Sequence, residues 1–312
     1  MYDLVIIGGS ISGVAAAIYA VRRKLNFILL TKDIGGEVAL AGEIQNYPGI
    51  VDTTGVDMAE SFRKQIEHYD MPLEEGIEIE KIIPQNGHHV ITGKDGKGNE
   101  KKYETKTVII ATGIHPRKLG IPGEDDFYHK GVTYCTVCDG PLFKGKTTVT
   151  IGAGNSALES AIMMAGIAEK HYVISNKAEG NGGGFPKGDA ILVDKIKAMK
   201  NVEIIYESLT QEIKGDKMVT GVTYKNAAGE VKELEVQGVM VHIGFTPNSD
   251  FVDCAEKDKA KQIVTDKLGL TSCPGVFAAG DVTDIPYKQI AIAGGQGVTA
   301  CLSAIDYINK KE

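Results

Sequence analysis

Apolar positions along the chain fall into short runs separated by glycine-rich or polar breaks. Leu4-Val5-Ile6-Ile7 is an unbroken apolar run of strand length, followed by the turn Gly8-Gly9-Ser10-Ile11-Ser12-Gly13, an Ala-rich helical stretch from Val14 to Arg23, and a second run, Phe27-Ile28-Leu29-Leu30. Continuous rather than alternating apolar character marks strands buried on both faces, so residues 2–31 predict a β–α–β unit. The pattern returns at Thr148-Val149-Thr150-Ile151, the turn Gly152-Ala153-Gly154-Asn155-Ser156-Ala157, an Ala/Met-rich helix and His171-Tyr172-Val173-Ile174. The chain therefore holds two such units.

After each unit the period changes. Ile77 to Ile110 reads as short strands broken at Asn86-Gly87 and Lys94-Asp95-Gly96 and closing in Thr107 to Gly113, and Val202 to His242 repeats the arrangement around the turn Asn226-Ala227-Ala228-Gly229. Each half is thus expected to be a β–α–β unit followed by a meander. A last apolar run, Gly275 to Asp281, precedes a small-residue helix expected from about Ala293 to Asn309. Pro and Gly concentrate at Gly113 to Gly123 and again at Gly244 to Asn248, as hinges do. The resulting expectation is an α/β fold of two Rossmann-like three-layer nucleotide-binding domains, the second inserted in the first. Residues 1–114 and 245–312 form the outer domain and 115–244 the insertion.

Strand context gives the first glycine turn a chemical meaning. Backbone N–H groups at a strand-to-helix turn, backed by a helix N-terminus, suit a pyrophosphate, and G-x-G-x-x-G spacing places them. Here the three positions are Gly8, Ser10 and Gly13, with serine at the centre. Asp33, 20 residues after Gly13, reads either as a ribose ligand or as a solvated turn acid. Asp281, at the end of the last apolar run, is a weaker candidate for sugar hydroxyls.

Composition narrows the function. The 312 residues include 38 glycines, and the net charge of −7 comes without a dominant lysine and arginine cluster, so no nucleic-acid partner is expected. No run approaches the ~18 apolar residues of a membrane span, and Met1-Tyr2-Asp3 lacks the basic start of a signal peptide; no membrane association and a cytoplasmic location are expected. Of five cysteines, two stand together in Cys135-Thr136-Val137-Cys138-Asp139. Two intervening residues allow an intramolecular disulfide and commonly lower one thiol pKa. The competing use is half of a zinc site, but Cys254, Cys273 and Cys301 are isolated, and no second C-x-x-C or H-x-x-x-H completes four ligands. The pattern points to redox chemistry and to no metal. Asp139 is a candidate proton donor and acceptor for thiol exchange, or a cap for the turn Gly140-Pro141. The other cysteines are expected to be buried small hydrophobes.

Taken in order, Gly8 to Gly13, Gly35-Gly36-Glu37, Asn46-Tyr47-Pro48-Gly49, Ala111-Thr112-Gly113, Cys135 to Gly140, Gly152 to Ala157 and Phe277 to Val282 resemble the low-molecular-weight thioredoxin reductases across essentially the whole chain. The resemblance implies an FAD-dependent thioredoxin-disulfide reductase, a homodimer with thioredoxin as partner. It places FAD against Gly8, Gly9, Ser10, Ser12, Gly13, Gly36, Asn46, Ala111, Thr112, Gly113, Gly280, Asp281, Lys288, Gln289 and Ile290. It also makes Cys135 the attacking thiol and Cys138 the one facing the flavin.

One departure bears on the electron donor. Members that use NADPH carry a His-Arg-Arg-x-x-x-Arg motif after the second strand of the inserted domain, where guanidinium forks neutralise the 2′-phosphate. Here that strand leads into Ser175-Asn176-Lys177-Ala178-Glu179 and Gly180 to Gly184, and no arginine follows Arg117. This resembles the branch fed by reduced ferredoxin, which is the donor expected. The alternatives are an NADH- or NADPH-linked reductase in which Lys177 or Lys187 supplies charge, and a flavin-binding redox sensor without steady turnover.

Overall fold

Backbone packing divides the chain into two units, Met1–His115 with Thr246–Glu312, and Pro116–Phe245, each limit one residue beyond the positions expected from the Pro/Gly clusters. The computed structural model describes residues 1–310 except 42, 45, 181–184, 186 and 187; the side chains of 43 and 138 also lie outside the described set.

In the first unit the strand Tyr2–Gly9 is central, pairing in parallel with Phe27–Ile34 on one side and Glu100–Ile110 on the other. Alternation along these strands separates two apolar faces. Leu4, Ile6, Leu29 and Ile109 pack with the helices Ile11–Arg22, Gly55–His68 and Ile290–Asn309, while Val5, Ile7, Leu30 and Ile110 pack with Ile82, Ile91, Val252 and Val282. Each such side chain removed from water contributes about 1.5–3 kcal/mol, which explains why the runs are unbroken. The closing helix starts at Ile290, three residues earlier than the small-residue pattern indicates.

Glu100–Ile110 does double duty. Its first half pairs antiparallel with His88–Lys94, and its last residues pair in parallel with Val276–Ala278, so the meander and the parallel strands form one seven-stranded sheet.

The second unit resolves the same expectation differently. Five parallel strands, with Thr147–Ile151 at the centre between Lys170–Ile174 and Gly238–Val241, form one sheet, and Leu209–Gly215, Val219–Lys225 and Val231–Glu235 form a separate three-stranded one. The separation follows from a break at Val236–Gln237: the chain leaves the meander before re-entering the parallel sheet, whereas residues 100–110 run through without interruption. Val149, Ile151 and Ile174 face the meander; Val173 faces the helices Asn155–Ala165 and Ala190–Lys197. Among the described residues no helix is long and apolar enough to cross a membrane.

Candidate functional site

A cavity of about 810 Å³ opens at the C-terminal ends of the parallel strands of the first unit, where ligands of open α/β sheets bind. The turn from Gly8 to Ser12 lines it. Gly8 has φ +120°, and a Cβ there would lie 2.2 Å from the Ala111 carbonyl oxygen. Gly13 lies behind the turn, where a Cβ would sit 1.8 Å from the Gly8 carbonyl oxygen; it permits the strand-to-helix approach and does not line the cavity. The Ser12 hydroxyl does line it, buried and without a protein hydrogen-bond partner among the described residues. A buried hydroxyl left unpaired is costly, so this oxygen is suited to an incoming acceptor or donor.

The other expected residues gather around the same space, Gly9, Ser10, Gly36, Ala111, Thr112, Gly113, Gly280, Asp281, Lys288, Gln289 and Ile290 all contributing to the lining. Asn46 does not; it lines a shallow neighbouring surface with Tyr47 to Val51, and its side-chain amide donates to Gln289 Oε1 at 3.2 Å. Asp33 lines the cavity, is exposed, and accepts the Gly36 N–H at 3.1 Å, the contact of a turn acid. Burial raises the Asp281 carboxyl above its ordinary range, with Lys288 opposing, and burial lowers the Lys288 ammonium. Lys288 Nζ donates to the Thr283 carbonyl at 2.6 Å.

Glu37, His115 and Asn248 also line the cavity, although no expectation from sequence placed them there. Burial raises the Glu37 pKa; His115 pulls it down, and Asp33 and Asp281 push it further up. His115 Nδ1 lies 2.5 Å from Asn248 Oδ1, and Asn248 in turn donates to the Thr112 carbonyl at 2.8 Å. Glu37 closes the Gly35-Gly36-Glu37 segment, in which the resemblance assigns a flavin contact to Gly36 alone. Asn248 is brought in from 133 residues beyond His115, which no local pattern reports.

In the second unit Cys135 is half-buried and disulfide-bonded, and Cys138 belongs to the one-turn helix Thr136–Asp139. Thr133 organises the approach. Its hydroxyl accepts the Cys135 N–H at 3.0 Å and donates to Asp139 Oδ2 at 2.5 Å. Asp139 makes no side-chain cap to the Gly140–Phe143 turn, so its carboxylate is committed towards Thr133 and not to capping. Beneath the cysteine turn runs a buried polar line that no sequence pattern indicates. Thr136 Oγ1 lies 2.7 Å from His242 Nε2 and 2.6 Å from Ser160 Oγ; Ser160 reaches Thr150 at 3.0 Å, Thr150 reaches His171 Nε2 at 3.0 Å, and His171 Nδ1 reaches Thr148 at 2.7 Å. Burial alone lowers the His171 pKa to about 3 and that of His242 to about 4, so both rings are neutral near pH 7.

The glycine turn of this unit is intact. A Cβ on Gly152 would meet the His242 carbonyl oxygen at 2.1 Å, and Asn155 at the head of its helix exchanges hydrogen bonds of 2.8 and 2.9 Å with Asp189. Past the second strand, Asn176, Lys177, Ala178 and Glu179 are exposed, and Glu179 lies 3.4 Å from Lys197 Nζ. Asn181 to Gly184 and Lys187 lie outside the described residues.

Of the remaining cysteines, Cys273 and Cys301 are buried and burial pushes each thiol up to about 12, as expected for unreactive fillers. Cys254 departs from that expectation: it is only half-buried, and its thiol neighbours Cys273. It packs against the apolar face that holds Val252 and Ala255 without being enclosed by it.

The family model for pyridine nucleotide-disulphide oxidoreductases matches residues 2–297. The F component of alkyl hydroperoxide reductase from Escherichia coli strain K12 is 38% identical over 313 residues, covering 98% of this chain but 58% of its own length. The chain therefore spans little more than half of that curated relative. Among solved structures, thioredoxin reductase from Lactococcus lactis, in its FR conformation, aligns with TM-score 0.80 and 32% identity over 99% of this chain and 100% of its own. A ferredoxin-flavin thioredoxin reductase from Clostridium acetobutylicum aligns with TM-score 0.53 and 28% identity over 99% and 98%.

Proposed function

The chain belongs to the pyridine nucleotide-disulphide oxidoreductase family, and on that premise we propose that it is a flavoprotein reductase of thioredoxin-type disulfides, working through Cys135 and Cys138 and fed by NADH. The observation that carries the reading is the disulfide-bonded Cys135 beside a second, intact glycine turn, in a unit inserted within the one that holds the cavity.

FAD is the cofactor of this family, and the first cavity fits it. The Gly8–Ser12 turn leaves a cradle that a Cβ at Gly8 would close, and the orphaned Ser12 hydroxyl meets a ligand there. Gly8, Gly9, Ser10 and Ser12 would hold the pyrophosphate, with Asp281, Lys288 and the Ala111–Gly113 segment around the remaining groups. When bound, FAD supplies two-electron chemistry between a nicotinamide and a disulfide. Cys135 thiolate then attacks the partner disulfide, and Cys138 resolves the mixed disulfide, so one S–S bond breaks in the partner as one forms in this chain. Asp139 moves the proton to the departing partner thiolate.

The donor follows from charge and from the retained turn. Guanidinium forks that would hold a 2′-phosphate are absent, since no arginine follows Arg117, while Glu179 offers a carboxylate that accepts from a ribose 2′-hydroxyl and repels a phosphate. An intact Gly152–Gly154 turn supports a nicotinamide donor over the ferredoxin first expected. The missing arginines and the clostridial neighbour favour ferredoxin as the second reading. Anaerobic titration of the holoenzyme decides: NADH should bleach the flavin at concentrations well below those needed for NADPH. Bleaching by reduced ferredoxin with none by NADH would replace the donor. Thioredoxin turnover that survives Cys135→Ser would remove the disulfide reading itself.

A further inference from the structure

No step of that reaction uses the buried polar line beneath the cysteine turn, yet the line passes through Thr136, one of the two residues between the cysteines, and ends on His242. Thr136 is 4% exposed, and its hydroxyl touches both Ser160 and His242. His242 directly follows the strand Gly238–Val241. Its N–H donates to the Ile151 carbonyl at 2.8 Å, and its own carbonyl sits against Gly152. One residue thus braces the glycine turn with its main chain and the cysteine turn with its side chain.

We propose that His242, acting through the Thr136 hydroxyl, is a positioning residue for the Cys135/Cys138 pair: it holds the intervening turn in the conformation that closes the disulfide and so sets how readily the pair is reduced. The inference rests on the reading of these cysteines as the redox pair. A four-residue helix has no stability of its own, because the cost of nucleation exceeds what one turn returns. Disulfide closure requires Cβ atoms about 3.5–4.5 Å apart. A turn held from below keeps the two thiols at high effective concentration and favours the closed form. Released, the dithiol gains backbone freedom that the ring-closed form cannot, and the balance moves towards dithiol. Thr133 and Asp139 hold the same turn through separate hydrogen bonds and remain in place, so the effect is a shift and not a collapse.

The test reads the pair's own equilibrium, with neither thioredoxin nor nicotinamide present. Full-length holoenzyme is equilibrated anaerobically in buffers of reduced and oxidised dithiothreitol, quenched by alkylation and weighed. In that exchange the protein disulfide breaks as the cyclic dithiothreitol disulfide forms, two electrons and two protons passing to the cysteines. His242→Ala and Thr136→Val should each shift the equilibrium about tenfold towards dithiol, roughly 30 mV for a two-electron couple. The double variant should shift it no further than Thr136→Val alone, because that change already removes the His242 contact together with the one to Ser160. His242→Gln and Thr136→Ser, which keep a hydrogen-bonding group at the same reach, should stay within about twofold of the parent. A merely structural residue would lower thermal stability without this pattern. Should His242→Ala not fold, the near-isosteric Thr136→Val carries the same comparison. Equilibria unchanged in folded His242→Ala or Thr136→Val overturn the inference, as does an equal shift in the Gln and Ser variants. If the parent enzyme instead fails to reduce thioredoxin with any donor, it is the reading of the pair that falls.

Discussion

The Thr133 hydroxyl donates to the Asp139 carboxylate while its oxygen accepts the Cys135 amide, so one side chain ties the proposed proton carrier to the proposed nucleophile. Asp139→Asn preserves an acceptor for Thr133 and removes only the ionisable group. Positioned proton transfer contributes typically 10²–10⁴-fold, so single-turnover reduction of thioredoxin should slow by about a hundredfold, with flavin bleaching by NADH unaltered. A rate within threefold of the parent would leave Asp139 a structural role alone.

Donor choice should respond to charge past the strand Lys170–Ile174. Replacing exposed Asn176 and Ala178 by arginine supplies two guanidinium groups where this chain has none. Bidentate phosphate contacts are worth enough for NADPH to gain roughly tenfold to a hundredfold in apparent affinity, with NADH little changed. Flavin absorbance during anaerobic titration reads this directly, and an unaltered NADPH response would mean the nucleotide does not lie there.

Gly13→Ala should damage cofactor retention more than its location behind the turn suggests. The added methyl would fall 1.8 Å from the Gly8 carbonyl oxygen and push the turn into the cavity. Overpacking of this kind costs about 1–3 kcal/mol, so the melting temperature should drop and the purified protein should carry less than half the flavin of the parent. Gly96→Ala, where a methyl meets nothing within 4 Å, is the control and should match the parent in both measurements.

Acid should weaken the second unit through its two neutral histidines. An unfolded histidine titrates near 6.5, whereas burial holds His171 at about 3 and His242 at about 4. Between roughly pH 6.5 and 4 the unfolded chain therefore binds protons that the folded chain refuses, and stability falls as pH falls. Each ring contributes about a tenfold loss in the folding constant per pH unit across that window. Urea midpoints from pH 7 to 4.5 should fall less steeply in His171→Leu than in the parent, by about one proton. Equal slopes would mean the ring is not sheltered.

Much of this architecture is written in local pattern. Unbroken apolar runs at 4–7 and 27–30 mark strands buried on both faces, and the glycine turns after them lie where strand meets helix. Asn86-Gly87 predicts a hairpin, and the turn between Glu78–Gln85 and His88–Lys94 is there, with Gly87 at φ +83°. Pairing between distant elements was not legible. Thr148-Val149-Thr150-Ile151 was expected as a strand of the same kind, but not how its two hydroxyls are accommodated: Thr148 and Thr150 are fully buried, since their hydroxyls find His171 and Ser160 from other elements. Nothing in a window of ten residues could show that, nor that Asn248 would return to the Thr112 main chain. The first turn of the helix, ahead of Ala293, was missed because Ile290 and its neighbours follow Asp284-Ile285-Pro286, which looks like continuing loop.

The line from Thr148 to His242 contains six groups and five contacts, and each neutral hydroxyl or imidazole brings a single proton. Every contact is then filled in only two ways, with all donors pointing towards His242 or all pointing away. Any mixed order leaves one contact with two protons or with none. His171 and His242 must therefore exchange tautomers together, although they share no contact. The interior of the inserted unit has a direction, and nitrogen-15 shifts of either ring alone would reveal which way it points.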